Sequence, residues 1–115
     1  MVKVKTSELN GTQLDYAVAV SVNVGEPISH ITSETSFVEL KGKHFSPTVS
    51  WEQCGPLIEK HSLSLTGSGK INIAVVRVAC GCVTQYGDTL LIAFCRALTA
   101  VKLGDEVDIP DELID

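Results

Sequence analysis

The stretch from Gly87 to Gly104, G-D-T-L-L-I-A-F-C-R-A-L-T-A-V-K-L-G, limits what this chain can become more than any other. It is predicted to be a helix because Asp88 can cap its free N–H groups, Gly104 tolerates a left-handed end, and no proline or glycine interrupts the span. At helical spacing Leu90, Leu91, Ala93, Phe94, Ala97, Leu98, Ala100 and Val101 cover well over half of the circumference, leaving Arg96 and Thr99 as a narrow polar stripe. A helix with so little polar surface has to be buried on most sides. The rest of the chain must supply its wrapping.

The 115 residues suit one domain, large enough to bury a core without staples. Aromatic residues are only 5% of the chain, so aliphatic packing must supply most of the stabilisation and Trp51 stands out. No apolar run is long enough to cross a bilayer, and M-V-K-V-K-T-S-E-L has no signal-peptide core, so a cytoplasmic protein is expected. The net charge of −5 is uneven: Asp105, Glu106, Asp108, Asp111, Glu112 and Asp115 crowd the end of the chain with no basic residue among them. Without these six, eight acidic residues face nine basic ones. A near-neutral body offers no basic face for a phosphate backbone and no polybasic membrane segment, so neither nucleic acid nor membrane is an expected partner. Residues 105–115 read as a short, solvated acidic tail, with docking on a basic partner as the alternative.

Val2 and Val4 alternate with Lys3 and Lys5, the pattern of a short edge strand. Asn10 to Gln13 has capping-box spacing, and Leu14, Ala17, Val18 and Ser21 then line one side of a helix predicted from Gly11 to about Val20, with Gln13 and Asp15 turned away. The V-S-V-N-V segment continues as helix or strand until Gly25-Glu26-Pro27 stops either. Ser29 to Ser36 is hydroxyl-rich and reads as an exposed loop; Phe37 to Leu40 is strand-like and Lys41 to Lys43 a turn. Between Trp51 and Lys60, Gly55 makes a tight entry and Pro56 takes the first turn of a short helix carrying Leu57 and Ile58.

Leu63 and Leu65 alternate with serines, Gly67-Ser68-Gly69 permits a reversal, and Ile71, Ile73 and Val75 alternate on the return, which predicts a β-hairpin. The inward positions then move to Val76, Val78 and Cys80, so a bulge is expected near Val75, a strand buried on both faces being the alternative. Val83 to Tyr86 makes a last short strand. The fold class expected is α+β: one domain over residues 1–115, an antiparallel sheet around the Leu63–Val78 hairpin, and the long C-terminal apolar helix packed on it.

Cysteine is the first place to look for chemistry. Cys80 and Cys82 share one face of an extended segment, but Cys54 and Cys95 are isolated, whereas structural zinc sites show paired knuckles or histidines at short spacing. No metal or other cofactor is expected. Cys95, inside the apolar helix, acts as a small hydrophobe, and disulfides do not suit a reducing cytoplasm, although Cys80 and Cys82 are candidates for oxidation in air. Cys54 precedes a glycine at a helix start and is a candidate nucleophile with His30, His44 or His61, without a local signature to support it. No phosphate loop, metal-binding histidine pair or carboxylate pair accompanies it, so an enzyme is the alternative reading and a binding protein the preferred one.

The W-E-Q-C-G-P segment groups the single tryptophan, an amide and a backbone opened by glycine, which suits a planar ligand or a partner's loop. A tryptophan that locks a loop onto the helix is the competing explanation. The binding residues expected are Trp51, Glu52, Gln53, Gly55 and Pro56, continuing to Arg96; packing accounts least well for Glu52 and Gln53.

Three stretches, V-K-V-K-T-S-E-L-N-G with L-D-Y-A-V-A, then F-S-P-T-V-S-W-E-Q-C-G-P-L-I-E, then L-L-I-A-F-C-R-A-L-T-A-V-K-L-G-D-E-V-D-I-P-D-E-L, together resemble the NinX-like family of small phage and prophage proteins. The W-x-Q-x-G-P and K-L-G-D-E-V-x-I-P-x-E-L patterns are distinctive for it. Cys54 stands where that family commonly has a glycine, which counts against a nucleophile, and Gly87-Asp88-Thr89-Leu90 stands where it tends to read G-P-T-P. The resemblance implies a phage accessory protein acting in the bacterial cytoplasm on a host protein or small molecule, anti-defence action included. It carries no reaction, cofactor or catalytic residue, and a second copy of the chain is an allowed partner.

Overall fold

A computed structural model describes residues 2–22, 28–31, 36–40, 43–68, 71–78 and 81–113; of these, 28–31, 36–37, 39–40, 43–44, 61–65, 68, 71, 77–78, 81–82 and 112 are described by their backbone alone. The chain runs β1 (Val2–Lys5), a 3₁₀ turn (Thr6–Glu8), α1 (Gly11–Val22), β2 (Ile28–Ile31), β3 (Ser36–Leu40), β4 (Lys43–Phe45), α2 (Trp51–His61), β5 (Ser62–Ser68), β6 (Ile71–Val78), β7 (Gly81–Gly87), α3 (Leu90–Leu103), β8 (Glu106–Ile109) and a 3₁₀ turn (Asp111–Leu113). The described strands form antiparallel sheets ordered β1-β8, β2-β3-β4 and β5-β6-β7. This is the α+β domain expected, with α3 packed on the hairpin sheet.

The predicted helix is there, but its cap is not Asp88. Thr89 is extended, and its hydroxyl accepts from the Ile92 N–H at 3.1 Å, so the helix starts one residue later than the carboxylate cap requires. Gly104 closes it at φ 92°, as expected of a glycine end. Phe94 and Leu98 are fully buried and share one core with Ala74 and Val76 of β6, Leu14, Ala17 and Val18 of α1, and Val107 and Ile109 of β8. The supposed polar stripe is no wet face. Thr99 is fully buried, and Arg96 donates from Nε to the Leu9 carbonyl and from Nη1 to the Tyr86 carbonyl, each at 2.8 Å.

β5 and β6 form the hairpin, from Ser68 opposite Ile71 to Ser62 opposite Val76; the reversal itself, Gly69 and Lys70, lies outside the described residues. The irregularity expected near Val75 exists but belongs to the partner strand: Ser64 pairs with Val75 and Ser62 with Val76, which makes Leu63 the extra residue. β6 pairs with β7 in unbroken register and turns Ala74 and Val76, not Ile73 and Val75, into the core. The inward phase expected for Ile73 and Val75 is thus wrong, while the side chain of Ile71 lies outside the description. Cys80, part of the same pattern, lies outside the described residues.

Three more expectations change. α1 extends to Val22, and Gln13 sends its amide nitrogen to the Leu113 carbonyl at 2.9 Å. The exposed loop expected over 29–36 contains β2 and the start of β3, paired from Ile28 opposite Glu39 to Ile31 opposite Ser36; residues 23–27 and 32–35 lie outside the described residues. The acidic end is no loose tail, because Glu106–Ile109 pairs with β1 and places Lys5 opposite Glu106 and Lys3 opposite Asp108. Val107, Ile109 and Leu113 turn into the core, and burial worth roughly 1.5–3 kcal/mol per side chain exceeds the repulsion among exposed carboxylates in the same segment.

Gly87 brings β7 against the first turn of α3. A Cβ there would stand 2.6 Å from the Ala93 nitrogen and 2.8 Å from Ile92 Cγ2, and the backbone atom has nowhere to retreat. Gly87→Ala should therefore destabilise the fold by roughly 1–3 kcal/mol, the usual range for overpacking, read as a lower urea midpoint. An unchanged midpoint would mean that strand and helix do not meet this closely.

Candidate functional site

α2 is set up by the turn before it. Ser46 accepts from the N–H groups of Val49 and Ser50 through its carbonyl, and Ser50 then accepts from the Cys54 N–H through its own carbonyl and from the Gln53 N–H through its hydroxyl. Gln53 folds back so that its Oε1 accepts from the Ser46 N–H at 2.6 Å. These bonds start the helix at Trp51, five residues before the proline expected to begin it. Pro56 sits in the second turn, where its missing N–H leaves the Glu52 carbonyl to solvent. S-W-E-Q has the S-x-x-Q spacing of a helix start, the signal that sequence reasoning passed over.

The expected binding residues divide accordingly. Trp51, 58% exposed, shares the outer face of α2 with Glu52, Gly55 and Pro56, and Val49, 77% exposed, stands beside it in the preceding turn. Gln53 is half-buried and engaged with the turn, while Arg96 is held on α3 by two carbonyls. Leu57 and Ile58 pack the inner face of α2 against the core, and Cys54 there is fully buried. The face is thus an apolar edge, Val49 and Trp51, followed by a low ridge with a carboxylate at its rim.

Behind that face lies a polar group that the sequence did not disclose. Asp15, expected to turn away from the core, is 6% exposed, and its Oδ1 accepts from the N–H of buried Thr48 at 3.0 Å. It anchors the turn that leads into α2. The Cys95 thiol is held well above its ordinary pKa of 9.0, first by a hydrogen bond with Cys54, then by burial, then by the charges of Cys54 and Asp15. Such a thiol stays protonated and shielded at neutral pH, the opposite of an activated nucleophile. The side chains of His30, His44, His61 and Cys82 lie outside the description, and among the described residues no group of three His, Cys, Asp or Glu side chains could hold a metal ion.

Among the described residues, clefts of about 280 Å³ open elsewhere. One lies between Lys5, Thr6, Ser7, Gln85, Asp105 and Glu106, another between Tyr16, Val20, Leu103, Glu106, Val107 and Asp108. Neither includes a residue of the α2 face. Among the described residues no helix is long and apolar enough to cross a membrane.

The chain is a small α+β domain that buries Cys54 and Cys95 and turns Trp51 outward. It belongs to the family of bacteriophage P22 NinX, which its residues 5–102 match, and the resemblance read from its motifs is confirmed over that range. A search of curated proteins found no match.

The Cys95 thiol links stability to pH. The folded chain retains a proton that the unfolded chain releases above 9.0, so this contribution is complete below that value and is lost as pH rises through the folded pKa. The urea midpoint should fall between neutral pH and about one unit above the ordinary thiol value, and fall less in Cys95→Ala. Equal losses in the two proteins would contradict the shift.

Proposed function

We propose that this protein is a phage accessory factor that acts without catalysis, by binding a protein of the infected bacterium through the outer face of α2. The observation that carries the reading is the exposure of Trp51 at the start of α2 and of Val49 in the turn before it. Outside its two chain neighbours a Cβ on Gly55 would meet nothing within 4 Å, so packing against other elements gives no reason for a residue that costs a helix interior roughly 1 kcal/mol. Pro56 costs a helix interior about 3 kcal/mol relative to alanine. Together they lower the ridge and let another surface approach the helix backbone beside the tryptophan, the residue type most enriched at binding hot spots. The convex shape favours a protein over a small molecule, which would need a concave pocket.

Capture of a host immune factor falls within this class and has its motivation in the phage family alone. Action in the bacterial cytoplasm follows from the same context. Catalysis by Cys54 has no comparable support, since the thiol is buried against Cys95. Glu52 at the rim would steer and orient the partner more than it would hold it.

Gly55→Ala should change stability by less than about 1 kcal/mol, because the helix gain from alanine is opposed by the contact of its Cβ with the ring of Pro56. Trp51→Ala should leave the fold nearly unchanged and weaken retention of the host partner by at least about thirtyfold, as for a hot-spot tryptophan. Both follow from denaturant titration and from native mass spectrometry of each variant recovered from host lysate. A steep stability loss in Trp51→Ala with partner retention per folded molecule unchanged would make the face structural and end this reading.

A further inference from the structure

The groove between α1, the end of α3 and β8 combines three features that call for one kind of occupant. Val20, Leu103 and Val107 give it aliphatic walls, Tyr16 adds an aromatic ring, and Glu106 and Asp108 add carboxylates; none of its lining residues is basic. We propose that it receives one arginine side chain from an exposed segment of a partner protein. A guanidinium is weakly hydrated, stacks on aromatic rings and pairs with carboxylates in a fork, while its three-carbon stem gains from aliphatic walls. At about 280 Å³ the groove is just under the roughly 300–1,000 Å³ of pockets that enclose drug-sized ligands, which suits a single long side chain.

The carboxylates are free to be used. Both are exposed, and neither takes part in an ion pair among the described residues, although Lys5 and Lys3 stand opposite them on β1. Those lysines do not line the groove. β8 itself fixes the arrangement, because its alternation turns Glu106 and Asp108 outward while Val107 points inward at the base. The ribbon that closes the fold therefore presents a cation-selective rim over an apolar floor. This site is separate from the α2 face and does not depend on its reading.

The test is titration of the 15N-labelled full chain with the peptide acetyl-Leu-Arg-Leu-amide, and with the same peptide carrying citrulline, the neutral isostere of arginine. Expected are saturable amide shifts centred on Tyr16, Val20, Leu103 and Val107, at least about tenfold weaker binding of the citrulline peptide, and weakening as salt rises. The Glu106→Gln, Asp108→Asn double variant should lose affinity by a similar factor, and Trp51→Ala should not, which keeps failure here distinct from failure of the α2 reading. Absence of saturable shifts, equal binding of the citrulline peptide, or shifts centred elsewhere would overturn the proposal. So would a concentration-dependent shift of the same amides without peptide, which would show a second copy of the chain in the groove. The citrulline comparison uses the unaltered protein, so it decides the matter even where the double variant folds poorly.

Discussion

The burial of α3 is the constraint on which the rest of the structure depends. A fourteen-residue helix with Phe94, Leu98, Ala93 and Ala97 all fully buried cannot sit at an edge. One side takes the three-stranded sheet, another takes α1, and the β1-β8 ribbon covers its C-terminal end. Its alanines hold the neighbours close, and Gly87 lets β7 come closer still. Arg96 completes the assembly, since one guanidinium bonds carbonyls from either side of the helix, Leu9 ahead of α1 and Tyr86 in β7. A bond from a charged donor is worth more than a neutral one, so this side chain serves cohesion, most through the part-buried bond to Leu9.

The two ends of the chain close the structure together. Thr6 donates its hydroxyl to the Gly104 carbonyl at 2.6 Å and its N–H to the Asp105 carbonyl at 2.8 Å, fixing the exit of α3 against the first 3₁₀ turn. The V-K-V-K and E-V-D-I strands then pair so that half-buried Val4 meets Val107, exposed Val2 stands opposite Ile109, and each lysine stands opposite a carboxylate. With no ion pair formed across the ladder among the described residues, this placement of charges adds little beside the burial of Val107 and Ile109. The acidic composition of the end thus governs surface potential, and the inward Val107, Ile109 and Leu113 govern structure.

What was legible in the sequence was periodicity over long stretches: α3, α1, the hairpin and β3 all follow from spacing of apolar residues. What was not legible depended on partners distant along the chain. Asp15 reads as a solvated face residue until Thr48 supplies the N–H that holds it inside. Glu106–Ile109 reads as a charged tail because four residues carry too little alternation, and only β1 gives them a ladder. Pro56 drew the start of α2 toward itself, although S-W-E-Q had already marked an earlier start. Of the expected site, Trp51, Glu52, Gly55 and Pro56 do share one exposed face, whereas Gln53 and Arg96 are held by backbone groups. Amide and guanidinium groups look alike in sequence whether they serve a ligand or a turn.

The interior is organised by α3, and the short element α2 is laid over it with Trp51 turned outward. Native-state hydrogen exchange measures that division most directly. If α3 is the pillar, the amides of Ala93 to Leu98 should exchange only through global unfolding, with a free energy equal to that from denaturant titration. The first-turn amides of α2 should open at lower cost. Exchange of the α3 amides through local opening, at a free energy well below the global value while α2 stays protected, would contradict the account.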